Sequence, residues 1–162
     1  AMEDAALRDP LTGLHNRRGL DRQLARLRAA VPGPLALAVA MLDIDHFKDV
    51  NDRHGHVLGD RVLVRIAALL RQHLRPGDVL ARVGGEEFAV VLCGLAPGPA
   101  RAACERLCQQ AQAAPWDELA AGLQITLSLG VVTAEVAEAP GASGFGVMFE
   151  EADALLYRAK QA

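Results

Sequence analysis

Apolar and polar positions along the chain switch between helical and strand periods. Leu20, Leu24 and Leu27 recur at three- and four-residue spacing, which predicts an amphipathic helix near 16–30. Pro32-Gly33-Pro34 ends it. "LALAVAMLDID" (35–45) is a nearly continuous apolar run of strand length, as a central strand covered on both faces requires. Its polar residues come only at its end, at Asp43 and Asp45. A short helix near 46–53 follows, then the glycine-punctuated turn "HGHVLGD". The longer helix near 57–74 points Val62, Leu63, Ile66, Leu69, Leu70 and Leu74 toward a core.

The second half continues with strands and helices and shows no internal repeat. Arg75-Pro76-Gly77-Asp78 is a loop by composition, and "DVLARV" and "EFAVVLCGL" read as strands on either side of Gly84-Gly85. A glycine pair between two short apolar runs predicts a hairpin with a tight, positive-φ turn. Pro97-Gly98-Pro99 opens a helix to about 114, "LQITLSLGVVTA" is a strand, "APGASGFG" a loop, and a last helix covers about 147–160. Residues 2–8 read as a helix stub stopped by Asp9-Pro10. Together these predict an α+β fold, a mixed and mainly antiparallel sheet flanked by helices.

Composition narrows the classes. With 162 residues, 51% hydrophobic and 23% charged, the chain fits one globular domain with an aliphatic core, since aromatics are only 4%. A net charge of −3 argues against a general nucleic-acid binder, which carries a basic excess. Cys93, Cys104 and Cys108 sit in apolar surroundings and read as buried small hydrophobes of a reducing cytoplasm. No run reaches the length of a membrane helix, so direct membrane contact is not expected.

The candidate chemistry lies where the apolar runs end. Pairing of the central strand with the hairpin would bring Asp43 and Glu86 to one edge, with Glu87 beside them. Carboxylates converging there beside a backbone carbonyl suit Mg²⁺ or Mn²⁺, which takes one or two protein carboxylates plus substrate phosphates. Gly84 and Gly85 leave room for a bulky ligand to approach the backbone. The bland alternative, solvated turn acids beside turn-forming glycines, weakens because "DID" ends a buried strand.

These residues carry a resemblance. "GGEEF" (84–88) resembles the signature of the GGDEF family, the diguanylate cyclases, with Glu in its third position. "DPLTGLHNRR" resembles the family's opening, "DIDHFKDVNDRHGHVLGD" its nucleotide-binding segment, "SLGV" a later strand and "EEADALLYRAK" its final helix. The resemblance implies a fold like the palm of nucleotide polymerases. It also implies condensation of two GTP into cyclic di-GMP and two pyrophosphates across a homodimer. It assigns the metal ligands to Asp43, Glu86 and the carbonyl of Ile44, catalysis to Glu86 with Asp43, and support of the metal shell to Glu87. Asn51 and Asp60 would read guanine, where an Asp carboxylate can accept from N1–H and the 2-amino group together. Phe47 and Lys48 at a helix start, His56 and Gly84–Gly85 near the nucleotide, and Lys160 in the last helix complete the substrate site. The other histidines, His15, His46, His54 and His73, read as surface residues.

Arg75 and Asp78 resemble the family's RxxD inhibitory site for the cyclic di-GMP product, where an arginine fork and an aspartate could hold phosphate and guanine. The family follows its last lysine with Gly-Arg-Asn, whereas this sequence stops at Gln161-Ala162. Residues 1–8 are therefore expected to end an upstream signalling helix of a missing sensory or receiver domain, and 9–162 to form a catalytic domain with a truncated C-terminal end. A cytoplasmic location follows from the same resemblance. The rival reading is a non-catalytic module that binds cyclic di-GMP or GTP; intact Gly84, Gly85, Glu86, Asp43, Asn51 and Asp60 favour catalysis.

Overall fold

β1 (Leu35–Ile44) is the spine of the fold, and its alternation explains its apolar run. Leu37, Val39 and Met41 face one hydrophobic cluster, while Ala38, Ala40, Leu42 and Ile44 face the other. Both faces of the sheet are therefore covered, which a half-exposed strand with a period-two pattern could not tolerate. The structure, a computed structural model, describes residues 6–161. The expected helix stub at 2–8 lies mostly outside these; residues 6 and 7 are helical.

Helix α1 (Arg17–Ala30) packs Leu20 and Leu24 on one face of the sheet, and α5 (Ala142–Gln161) adds Phe145, Met148, Ala152 and Leu156. The other face is covered by α2 (Phe47–His54), α3 (His56–His73) and α4 (Pro97–Ala113), with Val62, Ile66 and Leu70 fully buried. β2 (Val79–Arg82), β3 (Glu87–Cys93) and β4 (Leu127–Val136) complete a sheet of order β2-β3-β1-β4. Among the described residues all three strand pairings are antiparallel, and a parallel contact occurs only as the isolated bridge from His15 to Ala81. The expected α+β fold, with a mainly antiparallel sheet flanked by helices, is what forms.

Three local expectations change. The hairpin glycines do not adopt positive φ, unlike Gly55 and Gly77. The connection spans Val83–Glu86, too long for a two-residue turn, and Arg82 holds it by donating to the Gly85 carbonyl at 2.7 and 3.2 Å. The last strand begins at Leu127 rather than at Leu123. The last helix begins at Ala142, inside the expected "APGASGFG" loop, because burial of Phe145 and Met148 outweighs the poor helix propensity of its glycines.

A short turn of 3₁₀ helix (Trp116–Glu118) escapes the periodicity altogether. Trp116 is buried and donates its indole N–H to the Ala111 carbonyl at 2.6 Å. Of the three cysteines expected in the core only Cys104 is buried, Cys93 and Cys108 being half-buried; burial pushes the Cys104 thiol up to about 12 and Cys108 to about 11, so both stay protonated.

Candidate active site

Antiparallel pairing of β1 with β3 sets Asp43 opposite Glu87, and the Ile44 N–H donates to the Glu86 carbonyl at 3.2 Å. The predicted acids therefore meet where β1 ends beside the hairpin tip. Ile44 buries its side chain in the core, so only its backbone is available to a ligand. Gly85 borders open space, whereas a Cβ on Gly84 would meet Glu87 at 3.3 Å.

Asp43, Glu86 and Glu87 are each partly buried at this corner. Burial pushes Asp43 above its ordinary value, aided by Asp45 and Asp153 and opposed by Lys160. Burial also raises Glu86, with the Asp43 charge adding to it and Lys160 opposing. Glu87 is raised by burial first, then by Asp153, Asp43 and Glu86, against the pull of Arg17. A cluster of acids that resists ionisation is a site that gains from a cation.

The donor set fits a hard divalent cation. Asp43 Oδ1 is buried and accepts no well-formed hydrogen bond, although the Lys160 ammonium lies 3.0 Å away as an ion pair. A buried carboxylate oxygen of this kind needs a cation beside it, a place the Lys160 ammonium takes and a divalent ion could compete for. Among the described residues no three His, Cys, Asp or Glu side chains form a closed metal cage. Mg²⁺ does not require one, because phosphates and water complete its shell.

Two acids at this site were not assigned from sequence. Asp45 accepts from Thr126 Oγ1 at 2.6 Å and Ser128 Oγ at 2.5 Å, and Lys160 Nζ lies 3.4 Å from its Oδ1. It is a fixed anchor at the end of β1. Asp153 lies on α5, seven residues before Lys160, and that two-turn spacing on one helix face is the signal that could have found it. A groove of about 640 Å³ opens beside the acids between α1 and α5, lined in part by Arg17, Met41, Glu87, Phe145 and Asp153.

The expected nucleotide residues gather on α2 and α3. The helix start at Phe47 and Lys48 carries no side-chain cap, since His46 precedes it in a left-handed conformation (φ 54°). Its first N–H groups are free to meet an anion. Phe47 itself is a core residue, 7% exposed, so only its backbone serves the site, while Lys48 is exposed. Asn51 Oδ1 is buried without a hydrogen bond and lies against Gly59, where a Cβ would stand 1.9 Å from it. Asp60 and His56 are exposed on the first turns of α3.

The RxxD turn is folded on itself. The Arg75 N–H donates to Asp78 Oδ2 at 2.8 Å, and the Arg75 guanidinium donates to the Cys93 carbonyl at 2.9 Å. Asp78 is 4% exposed in its side chain, so Arg75 (54%) is the member open to a ligand. His15, expected at the surface, is instead half-buried with Nδ1 unpartnered. Burial and the nearby charges of Arg8, Arg26 and Arg71 hold its pKa below the usual value.

One long-range contact supports the hairpin. Arg82, besides clasping the Gly85 carbonyl, donates to both Asp9 oxygens at 3.1 Å, with side chains only 16% and 15% exposed. Asp9 also accepts from the Thr12 hydroxyl at 2.6 Å and the Thr12 N–H at 2.9 Å. The opening segment is thereby tied to the tip that carries Glu86.

Known proteins share both sequence and shape with this chain. The family model "Diguanylate cyclase, GGDEF domain" matches residues 6–162. Diguanylate cyclase DgcP of Pseudomonas aeruginosa is 46% identical over 160 residues, covering 97% of this chain; the chain spans only 23% of that protein. The diguanylate cyclase SiaD of the same species, solved with its activator SiaC, superposes with a TM-score of 0.80 at 35% identity, over 99% of this chain and 60% of that one. The GGDEF domain of DgcB from Caulobacter crescentus, solved with cyclic di-GMP, gives 0.76 at 31% identity over 96% of this chain and 91% of that one.

Proposed function

The chain belongs to the GGDEF family of diguanylate cyclases, and from that premise we propose that it condenses two GTP into cyclic di-GMP. Each domain of a homodimer binds one GTP, and the 3′-hydroxyl of each attacks the α-phosphate of the other, expelling pyrophosphate. The observation that carries the reading is the corner where Asp43, Glu86 and Glu87 meet, with a buried Asp43 Oδ1 faced only by the Lys160 ammonium at 3.0 Å.

Asp43, Glu86 and the Ile44 carbonyl are suited to hold Mg²⁺ or Mn²⁺, which when bound would activate the hydroxyl and neutralise phosphate charge. Glu86 receives the proton of the attacking hydroxyl; burial and the Asp43 charge raise its proton affinity, which suits a base. Glu87 supports the shell from the register position opposite Asp43. Lys48, Lys160 and the uncapped N–H groups of α2 bind phosphates. Asn51 and Asp60 select guanine, since adenine lacks the N1–H and 2-amino donor pair that a carboxylate accepts. His56 and the Gly84–Gly85 backbone border the nucleotide.

Arg75 binds the product, in a turn that Asp78 holds by accepting from the Arg75 N–H. The similar GGDEF domain of DgcB was solved with cyclic di-GMP, and the exposed Arg75 guanidinium supports such a site here. Calorimetry with cyclic di-GMP on Arg75→Ala is the test, and unchanged affinity excludes the site. Among the described residues no helix is long and apolar enough to cross a membrane.

Incubation of a covalently enforced dimer with GTP and Mg²⁺, followed by chromatography of the products, tests the activity. Cyclic di-GMP is expected. A folded, GTP-binding dimer that yields none returns the protein to a non-catalytic, nucleotide-binding role.

A further inference from the structure

Lys160 stands where the proposed metal would bind. Its Nζ lies 3.0 Å from Asp43 Oδ1 and 3.4 Å from Asp45 Oδ1, and its side chain is only 30% exposed. Asp45 is fixed by Thr126 and Ser128 and by its own N–H, which donates to the Thr126 carbonyl at 2.9 Å. The lysine is delivered by α5, whose approach to the sheet depends on Gly130, where a Cβ would meet the Ala152 carbonyl at 2.1 Å. Its position is thus set from two sides, by the helix and by Asp45.

Two cations on one carboxylate oxygen repel each other at this range. Mg²⁺ sits about 2.1 Å from its oxygen ligands, so an ammonium 3.0 Å from the same oxygen would repel it strongly. A flexible four-carbon stem with three donors can, however, leave Asp43 for a phosphate. The geometry points to Lys160 as a resident counter-ion of the metal site, one that holds Asp43 until a nucleoside triphosphate draws the ammonium onto its phosphates. Metal and nucleotide then load together, and the nucleotide-free domain binds free divalent cations weakly. This inference rests on the reading of Asp43 as a metal ligand and adds a regulation of that site.

The test separates the two. Binding of Mn²⁺ alone is measured by electron paramagnetic resonance on nucleotide-free wild type, Lys160→Met, Asp43→Asn and the double variant. Lys160→Met is expected to bind Mn²⁺ about fivefold tighter, the scale of one partly exposed ion pair, and Asp43→Asn to abolish that gain. Equal affinity in wild type and Lys160→Met, with Asp43→Asn still weakening both, overturns the counter-ion role and leaves the metal site standing. No effect of Asp43→Asn removes both. Should Lys160→Met fail to fold, the wild type decides: Lys48 and Lys160 are its only lysines, so isotopic lysine labelling gives two side-chain signals. Addition of 3′-deoxy-GTP without metal is expected to shift the Lys160 signal; an unmoved signal overturns the inference.

Discussion

Replacing Gly59 with alanine separates the nucleotide site from the fold. Gly59 is buried in α3, and a Cβ there would stand 1.9 Å from Asn51 Oδ1 and 3.3 Å from Phe47 Cζ. Two effects act on stability. Alanine is favoured over glycine inside a helix by about 1 kcal/mol. Against this, the Asn51 carboxamide must swing aside, but its Oδ1 accepts no hydrogen bond, so no bond within the protein is lost with that oxygen. Phe47 has to yield only a few tenths of an ångström. The melting temperature should therefore stay close to that of the wild type. Binding should not, because a displaced Asn51 leaves the guanine short of a hydrogen-bond partner. That loss costs about 1–3 kcal/mol, roughly 5- to 150-fold in affinity. Calorimetry with 3′-deoxy-GTP beside thermal unfolding of Gly59→Ala is the assay. Unchanged nucleotide affinity, or destabilisation by more than about 2 kcal/mol, would refute the reasoning.

Gly130→Ala should behave in the opposite way. Its Cβ would meet the α5 backbone at the Ala152 carbonyl (2.1 Å) and the Leu156 nitrogen (2.5 Å), atoms that cannot rotate away. A loss of about 1–3 kcal/mol in urea unfolding is expected, and an unchanged midpoint counts against the packing. Asp9→Ala should cost about 2 kcal/mol by removing charge-assisted hydrogen bonds to Arg82 and Thr12. Burial pushes Asp9 up, but Thr12 and Arg82 outweigh it, so its folded pKa lies below the ordinary 3.8. Its contribution is present above that value and is lost as pH falls through the folded pKa, so the gap to wild type should close only in strong acid. Glu86→Gln has the reverse pH dependence. Burial and Asp43 raise the folded pKa of Glu86, so its favourable contribution is full below the ordinary 4.5 and lost as pH rises through the folded value. Without metal the variant should melt above wild type at pH 7 and converge with it near pH 4; a gap that does not narrow in acid excludes a buried, charge-strained Glu86.

Much of the site was legible in the sequence because strand register is a short-range consequence of pattern. The apolar run from Leu35 to Leu42 could only be a doubly covered strand, and its polar end had to lie at a sheet edge. What remained hidden depends on contacts between distant segments. The hairpin glycines were read as positive-φ turn formers, but the turn is wider because Arg82 closes it from the side and is itself held by Asp9. Nothing in the local pattern announces a pair separated by that much chain. The start of α5 was missed because propensity counts its glycines but not the cluster that receives Phe145. Asp45 reads as a twin of Asp43, yet its hydroxyl partners on and beside β4 make it an anchor rather than a free ligand. Phe47 falls in the nucleotide-binding pattern but spends its ring in the core.

The most direct test of the account uses an enforced dimer in which one half carries Glu86→Gln. If Glu86 serves the attack made within its own half-site, the mixed dimer forms one phosphodiester bond and stops. Given GTP and Mg²⁺, the wild-type dimer should yield cyclic di-GMP and the mixed dimer the linear, triphosphate-bearing diguanylate. Cyclic product from the mixed dimer at the wild-type rate would contradict the role of Glu86 and the two-half-site mechanism built on it.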